Sequence, residues 1–284
     1  MNTIMNKSRH ILVTGHRGYI GSRLFKKLKS LGYDVDGIDL KEGEDLLHSL
    51  PRNKKYDTVF HMAALPRVEY SVLNPSYTLM HNVLGPARVL EWAAAIGVKR
   101  VIFSSSCAIY GDGNEPNSPY GLHKLMSEQE CRLFSNLYEL DTVCLRYYNV
   151  YSADQPFGGA YSTVFSSWLQ MIRDQRPLRI DGDGEQTRDF IHVDDVIDAN
   201  IFCMQYEKDF GGRGYDVGTG SFISINEIKQ IVEKHNNVQW QFAAERRGDV
   251  RHTCANVSAL AELGWKATIG IRSGIEDSFK QRKE

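Results

Sequence analysis

No apolar run in this chain approaches the roughly 20 residues that a membrane-spanning helix needs, and none of its 284 residues falls in a repeat or a low-complexity tract. The first residues (MNTIMNKSRH) are polar and lack the apolar stretch of an export signal. Cysteine is sparse: Cys107, Cys131, Cys144, Cys203 and Cys254 are odd in number, scattered, and form no C-x-x-C pair. That pattern argues against a disulfide framework or a zinc site and for reduced thiols, so a cytoplasmic protein is expected. The histidines show no ligand spacing either, and no metal is expected. Charge of one sign is missing too. A formal net charge of −1 gives no bulk attraction to nucleic acid or to an anionic membrane surface, and neither is expected as a partner. What remains is an ordinary globular composition, long enough to bury a full core.

The most informative stretch is His10–Leu28, HILVTGHRGYIGSRLFKKL. Ile11, Leu12 and Val13 form a short apolar run of the buried-strand kind, and Gly15, Gly18 and Gly21 follow at three-residue spacing. Ile20, Leu24, Leu28 and Leu31 then recur at helical intervals. Strand, glycine turn and helix in this order make a dinucleotide site, because the first helical turn presents free N–H groups to a pyrophosphate. Asp39 closes a second strand candidate at about the distance where a ribose-binding acid belongs. Arg17 inside the turn could favour a 2′-phosphate, whereas Asp39 would repel one. NAD is therefore expected over NADP.

Up to about Asn149, short apolar runs (10–14, 34–39, 57–62, 100–105, 141–147) alternate with longer amphipathic ones near 20–31, 75–97 and 119–139. Such alternation predicts an α/β fold, a Rossmann-type doubly wound parallel sheet. Residues 1–150 read as the nucleotide-binding domain. Residues 151–284 read as a smaller α/β lobe, mainly substrate-binding, some of whose segments return to the main sheet. Glycine-rich loops are expected at 155–160, 181–185 and 211–214. Ser224-Ile225-Asn226-Glu227 has the form of a capping box, and Asp194 and Asp195 read as acids of a helix start. Ligands on such sheets sit past the carboxyl ends of the strands, which singles out Ala63 and Ala64, Ser104 to Ser106, and Tyr147 to Asn149. Tyr120 and Lys124, four apart on a helix, share a face. A serine hydroxyl, a phenol and an ammonium can therefore converge at that sheet edge.

With these motifs the chain resembles the extended short-chain dehydrogenase/reductases, in particular their nucleotide-sugar epimerase/dehydratase branch. The resemblance is carried by GHRGYIG (15–21), HMAA (61–64), NVLG (82–85), SSSCAIYG (104–111), YGLHK (120–124), LRYYNVY (145–151), GDGEQTRDFIHVDDV (182–196), YDVGTG (215–220) and RRGDVRHTCANVSALAELGW (246–265). It implies that Tyr120 is the general base, that Lys124 lowers its pKa by stabilising the phenolate, and that Ser106 holds the reacting oxygen. It also implies that Gly15, Arg17, Gly18, Tyr19, Ile20, Gly21, Asp39, Asp45, Leu46, Ala63, Ala64, Asn82, Ser104, Tyr120, Lys124 and Tyr147 lie along the NAD. Ser106, Asn149, Arg188, Arg246, Asp249 and Thr253 would meet the sugar nucleotide, the arginines on its diphosphate.

Resembling dehydratases carry Asp-Glu after the serine, and decarboxylating relatives carry a glutamate. Cys107-Ala108 supplies neither, which leaves a redox step at C4. The leading expectation is NAD-dependent 4-epimerisation of a UDP-hexose through a transient 4-keto sugar. The alternatives are a 4-ketoreductase using NAD(P)H and an NAD-binding protein without turnover. The Ser106–Tyr120 segment is shorter than is usual in the branch, and Ser152-Ala153-Asp154-Gln155 replaces its usual Gly-Pro. Thr253 stands where relatives restricted to non-acetylated sugars carry a bulky aromatic, so N-acetylhexoses are expected to be accepted. A homodimer through the helices near 75–97 and 119–139 is also implied.

Overall fold

The computed structural model describes residues 9–51, 54–113, 115–157, 163–245 and 250–280. Its centre is a six-stranded, all-parallel sheet. In chain order the first half gives β1 (His10–Thr14), α1 (Tyr19–Ser30), β2 (Asp34–Ile38), β3 (Thr58–His61), α2 (Val68–Leu73), α3 (Pro75–Leu79), α4 (Gly85–Ala95), β4 (Arg100–Ser106), α5 (Pro119–Leu137) and β5 (Asp141–Tyr147). A wide, π-helical turn, Met80–Leu84, joins α3 to α4 into one rod. Beyond come β6 (Asn149–Tyr151), α6 (Val164–Arg173), β7 (Leu178–Asp181), β8 (Thr187–Arg188), β9 (Phe190–His192), α7 (Val193–Gln205) and β10 (Arg213–Val217). The chain continues through β11 (Ile223–Ser224), α8 (Ile225–His235), β12 (Trp240–Ala243), α9 (Ser258–Glu262) and α10 (Ile271–Lys280).

The sheet runs β10-β5-β4-β3-β1-β2. Successive side chains of a strand face opposite layers, and the core divides accordingly. Ile11, Val13, Ile102, Val143 and Leu145 pack with α1 and α7, while Leu12, Val101, Phe103 and Cys144 pack with α4 and α5. Strands buried on both faces read as unbroken apolar runs, which is why β1, β3 and β4 were legible in the sequence, whereas β2 (DVDGI) is an edge strand with mixed burial. The sixth, β10, pairs in parallel with β5 from Arg213↔Val143 to Val217↔Tyr147. Of the glycine-rich loop expected at 211–214, only Gly211 and Gly212 turn; Arg213 and Gly214 already belong to this edge strand.

A second, smaller core gathers Tyr151, Phe165, Trp168, Ile180, Phe190, Ile228 and Phe279. Three two-stranded ladders surround it, β6 with β9, β7 with β12 and β8 with β11. The capping box forms as expected: Ser224 Oγ accepts from Glu227 N at 3.0 Å, and the Glu227 carboxylate accepts from Ser224 N at 2.9 Å. Asp194 and Asp195 stand in the first turn of α7. Asp195 accepts from Thr268 N and Ile269 N, which anchors the segment before α10.

Candidate active site

The order of strands reverses between β1 and β3, the place where doubly wound sheets bind ligands. A cavity of about 220 Å³ opens there, lined by Gly15, Gly18, Asp39, Asp45, Leu46, Ala63 and Ala64 among others. Gly15 adopts a φ of +71°, and a Cβ on it would lie 2.6 Å from Ala63 N. The turn after β1 can therefore close on β3 only with glycine. At the start of α1, Gly18 is the cap residue and no side chain caps the helix. The free N–H groups of the first turn keep their capacity for an anion. Asp39 Oδ2 accepts from Arg17 N at 2.8 Å and Oδ1 from Lys41 N at 2.9 Å. A carboxylate has about four acceptor sites, so each oxygen can still take a ribose hydroxyl. These residues fit a dinucleotide with an unphosphorylated ribose. The Arg17 guanidinium is drawn to Glu42 instead, and only its backbone joins the site.

Other residues expected along the cofactor lie behind the cavity wall. Asn82, in the π-helical turn and 1% exposed, accepts from Leu65 N on its amide oxygen (2.8 Å) and donates its amide N–H to Leu65 O (3.0 Å). It fixes the segment after β3. Tyr147 exchanges hydrogen bonds with Ser104 Oγ (3.2 Å) and the Asn200 amide (2.8–3.0 Å), and burial pushes its phenol pKa up. Tyr19 packs in the core with its hydroxyl 2.7 Å from Ser152 Oγ. Ser152 also donates to Asp154, and Asp154 pairs with Arg23. The departure at 152–155 is thus a clasp onto α1.

Ser106 is the last residue of β4, and its Oγ accepts from Ala108 N at 3.2 Å, capping the turn that follows. Helix α5 starts with Ser118 Oγ accepting from Gly121 N, and Pro119 occupies its first position. A Cβ on Gly121 would lie 2.3 Å from Ala108 O; the helix start is pressed against the turn behind Ser106. That contact brings Tyr120 and Lys124 to the strand end. Lys124 is 2% exposed. Its Nζ donates to Ser104 O at 2.6 Å and lies 5.9 Å from the centre of the Tyr120 ring. Burial pushes the Lys124 pKa down to about 8, against the pull of Glu128 and neighbouring thiols. Its charge in turn helps hold His61 neutral, with a pKa of about 3 set first by burial.

Cys107, the residue after Ser106, lines an open cavity of about 880 Å³. The cavity wall also includes Tyr110, Tyr148, Asp216, Thr253 and Asn256. Thr253 Oγ1 is buried there with no partner among the described residues. Asn149 spends its amide N–H and its backbone N–H on Asp189 O (2.9 and 3.1 Å). Arg188 donates to Thr187 O at 2.8 Å and Arg251 O at 3.3 Å. Arg246 and Asp249 lie outside the described residues.

Sequence reading missed the buried charges that hold this edge together. Glu128, one further turn along α5 from Lys124, accepts from Ser105 Oγ (2.5 Å) and takes a two-pronged bond from Arg146. The Tyr-x-x-x-Lys-x-x-x-Glu spacing puts all three on one helix face and is the signal that could have found it. Asp189, fully buried, accepts from Thr219 N, Thr219 Oγ1, Gly220 N and Ala255 N. Burial nonetheless raises its pKa. Nothing local in the sequence announces that role. Among the described residues, no group of three or more His, Cys, Asp or Glu could hold a metal ion, and no helix is long and apolar enough to cross a membrane.

A doubly wound sheet with an uncapped glycine turn at one end of its crevice, and serine, tyrosine and buried lysine at the other, defines a nucleotide-dependent enzyme of the short-chain dehydrogenase/reductase type. The chain belongs to the NAD dependent epimerase/dehydratase family, whose profile matches residues 11–218. It is 32% identical over 94% of its length to a putative UDP-glucose 4-epimerase of Methanocaldococcus jannaschii, covering 96% of that protein. Among solved structures it is similar to the UDP-N-acetylglucosamine 4-epimerase of Methanobrevibacter ruminantium in complex with UDP-N-acetylmuramic acid. There the TM-score is 0.88 at 28% identity, with 97% of both chains covered. It is also similar to the UDP-glucuronic acid 4-epimerase of Bacillus cereus in complex with UDP-glucuronic acid and NAD. That TM-score is 0.81 at 28% identity, covering 96% of this chain and 99% of the other.

Proposed function

We propose that the protein interconverts a UDP-hexose and its C4 epimer through a transient 4-keto sugar, with NAD recycled and none consumed. The observation that carries this reading is the buried Lys124 ammonium, held on Ser104 O and 5.9 Å from the Tyr120 ring, beside Ser106. Bound along the glycine turn and Asp39, NAD would supply the hydride acceptor, and then donor, for the sugar C4. A free phenol, with a pKa near 10, is a weak base at neutral pH. The Lys124 charge stabilises its phenolate. Tyr120 Oη then accepts the O4 proton and later gives it back, while the Ser106 hydroxyl steadies O4. Arg188 and Arg246 hold the diphosphate, Asn149 and Asp249 the rest of the nucleotide sugar, and the 880 Å³ cavity gives the keto sugar room to turn over. Incubation with UDP-glucose, UDP-galactose or their N-acetyl forms, with no coenzyme added, tests this. Interconversion is expected, and NAD is expected in the purified protein by mass spectrometry. Lack of interconversion by NAD-loaded protein refutes the reading.

Lys124 carries its proton below about pH 8 and loses it above. The cation that supports the phenolate is lost in the same range. An alkaline limb in kcat/KM near pH 8 is expected, and a profile flat to pH 10 would contradict this role for Lys124.

Thr253 lines the cavity with a small side chain, which leaves room for an acetamido group. UDP-N-acetylglucosamine is expected to turn over at least as fast as UDP-glucose. Thr253→Tyr, which fills the space, is expected to lower the N-acetyl rate at least tenfold and spare UDP-glucose. Equal loss on both substrates argues against this assignment.

The faces of α2 to α5 that turn from the core leave Val72, Leu73, Tyr77, Leu84, Leu133 and Leu137 exposed. Exposed large apolar side chains on helices that pack together mark an interaction surface, and a second copy of the chain is the partner we assign to it. The scattered cysteines suit reduced thiols, which supports a cytoplasmic location. Sedimentation of Leu133→Glu/Leu137→Glu is expected to show monomers where the unmodified protein shows dimers; an unmodified protein already monomeric at micromolar concentration overturns the assignment.

A further inference from the structure

The wall of the 880 Å³ cavity carries a charge arrangement that the proposed chemistry leaves unused. Asp216, at the end of β10 and 7% exposed, lines it. Its Oδ1 accepts from Tyr110 Oη at 2.7 Å, and its Oδ2 accepts from Tyr148 Oη and Asn256 N, both at 3.0 Å. Behind Tyr110, Arg146 donates to the same phenol oxygen at 2.7 Å and is committed to Glu128 through Nε and Nη2. Arg146 Nη1 also lies 3.9 Å from Asp216 Oδ1, so one cation is shared between two carboxylates; Glu128, bonded at 2.6 Å, takes the larger share, and Asp216 at the cavity is the less compensated of the two. Three donors fill three of its roughly four acceptor sites. The remaining site, on Oδ1, can take an O–H or N–H and cannot take another acceptor.

The Asp216 charge is felt at the start of that wall. The Cys107 thiol is pushed up to about 12, by burial first and by Asp216 second. Arg188 acts the other way and ranks below Asp216. Arg251, which lines the cavity, is paired with Asp183 at 2.7 Å. In one of the two orientations that the turning sugar takes with O4 at Ser106, the C6 substituent, borne on C5 next to C4, would face the residues that follow Ser106. A hydroxymethyl there is neutral and can donate to a carboxylate. A C6 carboxylate can only accept, and it meets like charge.

We propose that Asp216, clamped by Tyr110 and Tyr148, is the specificity-determining residue that selects UDP-hexoses with a neutral C6 and rejects UDP-uronates. The inference rests on reading this cavity as the sugar pocket of the proposed epimerase. It separates this chain from the similar Bacillus cereus protein that is complexed with UDP-glucuronic acid. Specificity of this sort comes from a repulsive element against the wrong ligand as much as from a contact to the right one.

Calorimetric binding to the NAD-loaded protein tests it without needing turnover. UDP-glucose is expected to bind at least about tenfold more tightly than UDP-glucuronate, a difference of ~1.4 kcal/mol. Asp216→Asn keeps the shape and removes the charge, and the preference is expected to shrink to within about twofold; Asp216→Ser gives the same reading if the amide does not fold. Equal binding of the two ligands by the unmodified protein overturns the proposal, as does a preference that survives both substitutions. Loss of the epimerase reading shows separately, as absence of interconversion of UDP-glucose while the binding preference and its dependence on Asp216 persist.

Discussion

Tyr120→Phe is expected to lower kcat by about three orders of magnitude while changing stability by less than about 1 kcal/mol, the usual scale for a positioned general base. The ring stays, so the packing of α5 against the turn after Ser106 stays. Gly121 still meets Ala108 O, and the Tyr120 backbone N–H still donates to Ser71 Oγ at 3.0 Å. What goes is the oxygen that shuttles the O4 proton. Lys124 keeps its bond to Ser104 O (2.6 Å), so NAD retention, read by mass spectrometry, is expected to be unchanged. Two measurements separate this from a structural effect: a thermal melt coincident with that of the unmodified protein, and a KM within a few fold. A variant that keeps more than about a tenth of the rate would remove Tyr120 from the reaction and leave Ser106 and Lys124 to explain it.

The parts of the molecule that were legible in the sequence are those whose signal is local. Ile11–Val13 is a strand on both readings because three consecutive apolar residues between two packed layers need no distant partner. Gly15, Gly18 and Gly21 mark their turn because its geometry is set within a few residues, and Ser224 and Glu227 cap each other across one helical turn. Strand β10 was missed for a related reason. Arg213-Gly214-Tyr215-Asp216-Val217 begins in a glycine-rich turn and carries two charged side chains. Its strand character comes from a partner about 70 residues earlier in the chain, since Arg213 N also follows a turn fixed by Asp141. Arg146 and Asp216 are charges inside apolar strands, and such charges need partners. That requirement was readable, but the identity of the partners was not. Asp39 shows an intermediate case: its place after β2 was expected, whereas its second task, holding Arg17 N and Lys41 N, follows only from the folded turn.

The same logic of distant partners predicts the largest loss of stability, at a position away from the chemistry. Arg100, at the start of β4, is nearly buried. Its Nε donates to Asp141 Oδ2 at 2.6 Å, its Nη1 to Cys203 O and Tyr206 O at 2.7 and 2.6 Å, and its Nη2 to Lys208 O at 2.8 Å. Its guanidinium also lies 4.9 Å from the centre of the Phe210 ring. One side chain thus ties the sheet to the carboxyl end of α7, and Asp141 Oδ1 completes the tie by accepting from Phe210 N and Gly211 N. Arg100→Met is expected to cost about 3–5 kcal/mol, because it leaves a buried carboxylate without its cation and three carbonyls without their donor. Arg179→Met, which removes an exposed guanidinium from its pair with Asp181 at the same 2.6 Å, is expected to cost less than about 1 kcal/mol. The two ion pairs are of equal length, and they differ in the burial of the cation and in the three carbonyls that Arg100 serves. Arg100 and Ser106 stand at opposite ends of one strand, roughly 20 Å apart at the rise of a β-strand. Well below the melting temperature, kcat of Arg100→Met is therefore expected to stay within a few fold of the unmodified rate. Denaturant melts of the two variants give the comparison, and equal losses would mean that the sheet, and not this clamp, holds α7 and β10 in place.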